Sequence, residues 1–141
     1  MLFAVHSDDG QIVQANKVYN PEGYDRLLDQ HGLNYVAVQT EGILSPEEWF
    51  VNVGTKEIAE RPALPIQISK TMIKAGGADS ALLTQIPAQA RVVVYAAGAE
   101  LHRLAKLDAT ELEISIPVPC RYTVVIDLWP YKTSRFEIEA I

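Results

Sequence analysis

From residue 66 onward a turn signal interrupts the chain roughly every ten residues, and this punctuation limits the fold more than any other feature. The signals are Gly76-Gly77-Ala78-Asp79, Pro87, Gly98, Asp108, Pro117 to Pro119, and Pro130. The pieces between them are strand-sized, too short for helices that could bury an apolar stripe. They give seven candidate strands, at residues 66–73, 80–85, 91–97, 100–104, 112–116, 121–128 and 134–141. Alternation is plain in the last two. Tyr122, Val124, Ile126 and Leu128 share one face, and Phe136, Ile138 and Ala140 share another while Glu137 and Glu139 point away. Seven short strands at this spacing predict an immunoglobulin-like β-sandwich, with a jelly roll as the alternative. Tyr122 follows a Pro-rich turn at the start of a late strand. It reads either as the corner tyrosine of such a sandwich or as an ordinary core residue.

Ahead of this region, Arg61-Pro62-Ala63-Leu64-Pro65 marks a seam. Two prolines close together stiffen the backbone and remove amide donors, as in a short extended linker. Charge changes at the same place. Residues 1–62 carry four basic side chains against ten acidic ones, the whole net charge of −6, and residues 63–141 carry eight of each. The expected organisation is therefore a small acidic α+β module at 1–62 and a neutral sandwich at 63–141, a mainly β chain.

In the first module Leu2 to Val5 reads as a strand, Asp8-Asp9-Gly10 as a hairpin turn tolerant of positive φ, and residues 11–19 as the return strand. Asn20-Pro21-Glu22 predicts a helix start, with Asn as cap and Pro in the first turn. Tyr24, Leu27, Leu28 and His31 follow helical spacing, and Gly32 suits the left-handed residue after the helix. Residues 35–40 read as a third strand. Ser45-Pro46-Glu47-Glu48 reads as a capped single turn, and residues 49–60 as a hairpin about Gly54-Thr55-Lys56. About 60 residues bury little core, so this module is expected to lean on a neighbour or oligomerise.

Several functional classes are disfavoured. A net acidic chain does not suit phosphate neutralisation, so no nucleic-acid partner is expected. The apolar runs, such as Val92 to Ala97, are far shorter than the roughly 18 residues of a membrane span. Met1 to Val5 is too short for a secretory signal, so synthesis in a cytoplasm is expected. One cysteine excludes an internal disulfide framework and a Cys₄ zinc site. Among the histidines His6, His31 and His102, only His6-Ser7-Asp8-Asp9 offers metal-ligand chemistry, and a strand end followed by a hydrated hairpin turn is the better account of it. Cys120 could act as a nucleophile only beside a base such as His102; otherwise it is a bystander thiol. Gly76-Gly77 lacks the context of a phosphate loop, and Glu111 with Glu113 reads as a solvent-facing strand pair. No catalytic residue, cofactor or metal is assigned. The remaining candidates are aromatic: Trp129 and Tyr131 beside Pro130, and Trp49 and Phe50 near a hairpin. They either plug the ends of their modules or form a partner-binding patch.

In its order of segments the chain resembles small tail and tail-fibre-associated proteins of tailed bacteriophages. In the first module the resemblance lies in the opening strand with its Asp9-Gly10 turn, in Ser45-Pro46-Glu47-Glu48-Trp49-Phe50-Val51, and in Glu57-Ile58-Ala59-Glu60-Arg61-Pro62 after Gly54. The second half is similar to bacterial immunoglobulin-like domains of phage tails and adhesins. It is carried by residues 73–81, by Pro119-Cys120-Arg121-Tyr122-Thr123-Val124-Val125-Ile126, by Trp129-Pro130-Tyr131 and by Phe136-Glu137-Ile138-Glu139-Ala140. Such domains usually have glycine at the position of Cys120. The resemblance implies a non-enzymatic virion protein, present as a homo-oligomer in a symmetric assembly with tail, fibre or portal-proximal partners. Alternatives are an accessory module touching a host-surface glycan or a fibre through Trp129 and Tyr131, a capsid decoration protein, and a small hydrolase using His6 or His102.

Overall fold

A computed structural model describes residues 1–40, 42, 44–97, 99–104 and 109–141, and the main chain but not the side chains of residues 102 and 104. The turn positions Gly98 and Asp108 and the side chain of His102 therefore lie outside the described residues. The chain is mainly β, with about 45% of residues in strands and 5% in helix, arranged in several sheets of which none closes. It divides into two compact units, Met1–Arg61 and Pro62–Ile141.

In the first unit β1 (Leu2–His6) lies between β2 (Ile12–Lys17) and β3 (Asn34–Val38), antiparallel to both. Leu2, Phe3, Ala4 and Val5 are all buried, because each face of this central strand is covered. On one face Phe3 and Val5 pack with Leu28 of α1 (Tyr24–Gln30). On the other, Ala4 packs with Ile12 and with Val51 of the hairpin formed by β4 (Trp49–Asn52) and β5 (Glu57–Glu60). An apolar run without alternation is what a strand covered on both faces requires.

The Asp8-Asp9-Gly10 turn forms, but only Gly10 of the three takes a positive φ, at 94°. The Gly10 amide donates to Ser7 O at 3.0 Å and the Ser7 amide to Gln11 O at 2.9 Å, the bonding of a three-residue loop closed by a glycine bulge. Asp9 supports the turn through its side chain, accepting from Ser7 Oγ and from the Gln11 amide at 3.2 Å. Gly10 serves a second purpose. Its carbonyl accepts from the Val51 amide at 2.8 Å, and a Cβ at this position would lie 1.9 Å from Val51 O.

The helix starts later than its sequence suggests. Asn20 is not the cap; Pro21 O accepts from the Tyr24 amide at 3.1 Å in a preceding turn, and Gly23 stands at the N-cap without a side-chain bond. Its other end is as expected. The Gly32 amide donates to Asp29 O and the Leu33 amide to Leu28 O, the paired bonds of a Schellman motif. In the β4–β5 loop the residue with positive φ is Lys56, at 58°, rather than Gly54. Asn52 Oδ1 holds the loop by accepting from the Gly54 and Thr55 amides.

The second unit holds two sheets. One has the order β10-β9-β12-β13-β7, from β7 (Met72–Ile73), β9 (Arg91–Ala96), β10 (Ala99–Leu104), β12 (Arg121–Asp127) and β13 (Ser134–Ala140). The other has the order β11-β8-β6, from β6 (Gln67–Ile68), β8 (Ala81–Thr84) and β11 (Leu112–Ile114). Both contribute to one hydrophobic cluster, in which Leu83 and Ile114 meet Val92, Val124, Ile126 and Ile138. The alternation in β12 and β13 is as expected: Val124, Ile126, Ile138 and Ala140 are buried. Tyr122 packs against the same cluster.

The single strand expected at residues 66–73 is instead two, in different sheets. At Ser69 the chain leaves β8, with the Ser69 amide on Leu82 O at 2.9 Å and the Leu82 amide on Ser69 Oγ at 2.8 Å. Thr71 O then accepts from the Glu139 amide at 2.8 Å, and β7 runs parallel to β13. Asp79 braces the crossing, accepting from Lys70 Nζ at 2.5 Å and from the Lys74 amide at 2.9 Å. These bonds, with one from the Ser80 amide, hold the Asp79 carboxyl below the ordinary 3.8, the Lys70 contact contributing most.

Candidate functional site

The four aromatic candidates fall in two places. Trp129 and Tyr131 share the β12–β13 loop, across a cis Trp129–Pro130 bond. Both are half-buried, and Tyr131 packs against the core of its unit. The loop is tied down by the Tyr131 amide on Leu128 O and the Lys132 amide on Pro62 O, at 2.8 and 2.7 Å. Trp49 and Phe50 are neighbours on β4 and therefore face opposite sides. Trp49 packs against the Ala4–Ile12–Val51 cluster, and Phe50 is half-buried on the other face. The first pair shares a loop surface; the second does not share a face.

The polar candidates take structural parts. Asn34 Nδ2 donates to Asp8 Oδ1 at 3.0 Å, Asp9 is committed to its turn, and His6 Nδ1 lies 2.8 Å from Ser7 O. Among the described residues no group of three or more His, Cys, Asp or Glu side chains could hold a metal ion. Cys120 is a free, half-buried thiol packed against the core. Glu113 accepts from Ser80 Oγ at 2.8 Å.

A feature not foreseen from the sequence lies in the first unit. The face of β1 and β3 that meets α1 opens at the turn leading into the helix, leaving a cleft of about 570 Å³. Phe3 and Tyr35 form its aromatic wall, with ring centroids 6.0 Å apart. Behind them Tyr24 meets Phe3 edge-on, centroids 4.7 Å apart, and Asn16 Nδ2 donates to the Tyr24 hydroxyl at 3.0 Å, fixing that ring. Glu22 and Asp25, both exposed, line the mouth. No Lys or Arg side chain is among the lining residues. The Met1 ammonium at the edge donates to Val18 O at 3.1 Å. Burial pushes the Tyr35 phenol above its ordinary 10.0, and the charges of Asp29 and Asp25 push it further in the same direction. The carboxylates therefore place a negative field here, and the Tyr35 phenol stays neutral within it.

Sequence reasoning singled out aromatic residues near hairpins and Pro-rich turns, and so passed over Phe3 and Tyr35. The available signal was their occurrence on adjacent strands, together with Glu22 before the helix and Asp25 in its first turn. A second cleft, of about 560 Å³, opens on the other side of Tyr35 and is lined by His6, Asp8, Asp29, Leu33, Val53 and Lys56 among others. Among the described residues no helix is long and apolar enough to cross a membrane. No protein family, curated protein or solved structure matches the chain.

Proposed function

We propose that the chain is a non-enzymatic structural protein of a tailed-bacteriophage particle, associated with the tail or its fibres. It is made in the host cytoplasm and acts in the virion as a symmetric homo-oligomer. An acidic α+β module at Met1–Arg61 docks on other virion proteins, and an immunoglobulin-like β-sandwich at Pro62–Ile141 supplies a rigid body.

The observation that carries this reading is the strand order of the second unit. In sequence order β6, β8, β9, β10, β11, β12 and β13 are read as strands A, B, C, C′, E, F and G. A, B and E form one sheet and C′, C, F and G the other, with β7 added as a parallel edge beside G. Apart from the excursion of β7 into the other sheet, the chain passes between sheets at β8–β9, β10–β11 and β11–β12, which supports a Greek-key sandwich. Open edges at β2 and β3, with Val13 62% exposed on β2, offer pairing positions for assembly.

The test is to probe purified particles of the encoding phage with an antibody to this chain under the electron microscope, beside light scattering of the isolated protein. Symmetric labelling of tail or fibre and a defined oligomer are expected. A strict monomer that is missing from the particles refutes the reading. Trp129 and Tyr131 on one loop favour a second reading, an accessory module that binds a host-surface glycan. A glycan screen in which Trp129→Ala abolishes a specific signal would establish it in place of the first.

A further inference from the structure

We propose that the cleft bounded by Phe3, Tyr35, Glu22 and Asp25 receives a Lys or Arg side chain presented by a basic segment of a protein partner. Its aromatic wall and its carboxylates are complementary to the two halves of such a side chain. The aliphatic stem lies against the half-buried Tyr35 ring, with buried Phe3 as the apolar floor behind it, and the charged head meets Tyr35 and the acids at the mouth. Anionic ligands are disfavoured by the Glu22 and Asp25 carboxylates at the mouth. A neutral apolar ligand would strip water from Glu22 and Asp25 without replacing its hydrogen bonds. The first unit carries the chain's whole net charge of −6, so longer-range attraction acts in the same direction as the local contacts.

The inference rests on the docking role proposed above for Met1–Arg61 and names the chemistry of the partner. It is tested by titrating the full chain, isotopically labelled for NMR, with a short Gly-Ser peptide carrying a central lysine. The same peptide with norleucine or glutamate in place of the lysine serves for comparison. Amide shifts are expected to concentrate at Phe3, Glu22, Asp25, Tyr35 and Ala37 with the lysine peptide only. The double variant Glu22→Gln/Asp25→Asn should weaken binding about five-fold, two exposed charge contacts having been removed. Glu47→Gln/Glu57→Gln removes the same number of charges away from the cleft and should leave affinity within about two-fold.

Three results would overturn the proposal: equal binding of the norleucine peptide, equal weakening by both double variants, or no localised shifts. Amide spectra of each variant establish that it is folded. The titration reads the cleft and the labelling of particles reads the assembly. Failure at the cleft leaves the virion role standing, and absence from particles leaves the cleft's preference for cations standing.

Discussion

Replacing Gly10 with alanine should strongly destabilise the first unit and leave the second unchanged. The backbone at Gly10 has φ of 94°, where an L residue costs about 1–2 kcal/mol. The added Cβ would lie 1.9 Å from Val51 O, backbone rather than a side chain that could swing aside. The hairpin must move away, which breaks the Val51 amide bond to Gly10 O, worth about 1 kcal/mol. It also loosens Val51 from Ala4 and Ile12, adding about 1 kcal/mol of lost burial. The total is roughly 3–4 kcal/mol. A unit the size of Met1–Arg61 has about 3–9 kcal/mol in all, so much of that margin disappears.

The assay uses the chain's two tryptophans, Trp49 in the first unit and Trp129 in the second. In a Trp129→Phe background, urea unfolding followed by fluorescence reports the first unit; in Trp49→Phe it reports the second. Gly32→Ala is the internal control. Its φ is 66°, but nothing lies within 4 Å of the added Cβ, so it carries only the conformational cost of about 1–2 kcal/mol. If Gly10→Ala costs no more than Gly32→Ala, the close approach to Val51 is not what demands glycine.

Ile138→Ala, at a fully buried position of β13, should cost about 2–5 kcal/mol in the Trp129-reported transition and leave the Trp49-reported one unmoved. Asp79→Asn should remove a pH dependence. The folded-state carboxyl lies below 3.8, so its stabilisation is present above that value and lost as pH falls through and below it. Acid titration of the second unit should then show a shallower decline in the variant. Arg121→Ala should change stability by less than about 0.5 kcal/mol, because its contacts to Glu137 and Glu139 are both 3.8 Å and exposed. Chemical denaturation at low and high salt measures it.

What could be read in advance depended on how locally each feature is determined. β12 and β13 were legible because one face is buried and one is not, which writes period two directly into residues 122–128 and 136–140. The Gly32 terminus was legible because the Schellman bonds involve only neighbouring residues. The break at residues 69–71 was not. It is made by Ser69 with Leu82 and by Thr71 with Glu139, partners that only the tertiary fold brings together. The hairpin at residues 49–60 was legible, but the detail of its loop was not. Asn52 organises the amides of Gly54 and Thr55, which shifts the left-handed position onto Lys56. The cleft is the furthest from local determination: its wall and mouth come from β1, β3, the turn before α1 and the first turn of α1.

The crossing of β7 onto β13 has a mechanical meaning. The Glu139 amide bonds Thr71 O, the Ile141 amide bonds Ile73 O, and the Ala75 amide bonds Ile141 O. Because the two strands are parallel, a pull entering at Pro62 and leaving at Ile141 slides them past each other. The three bonds then bear the load together, where an antiparallel edge peeled from its end would surrender them one by one. The short β7 segment is thus placed to act as a shear clamp, closing the second unit against tension along the chain.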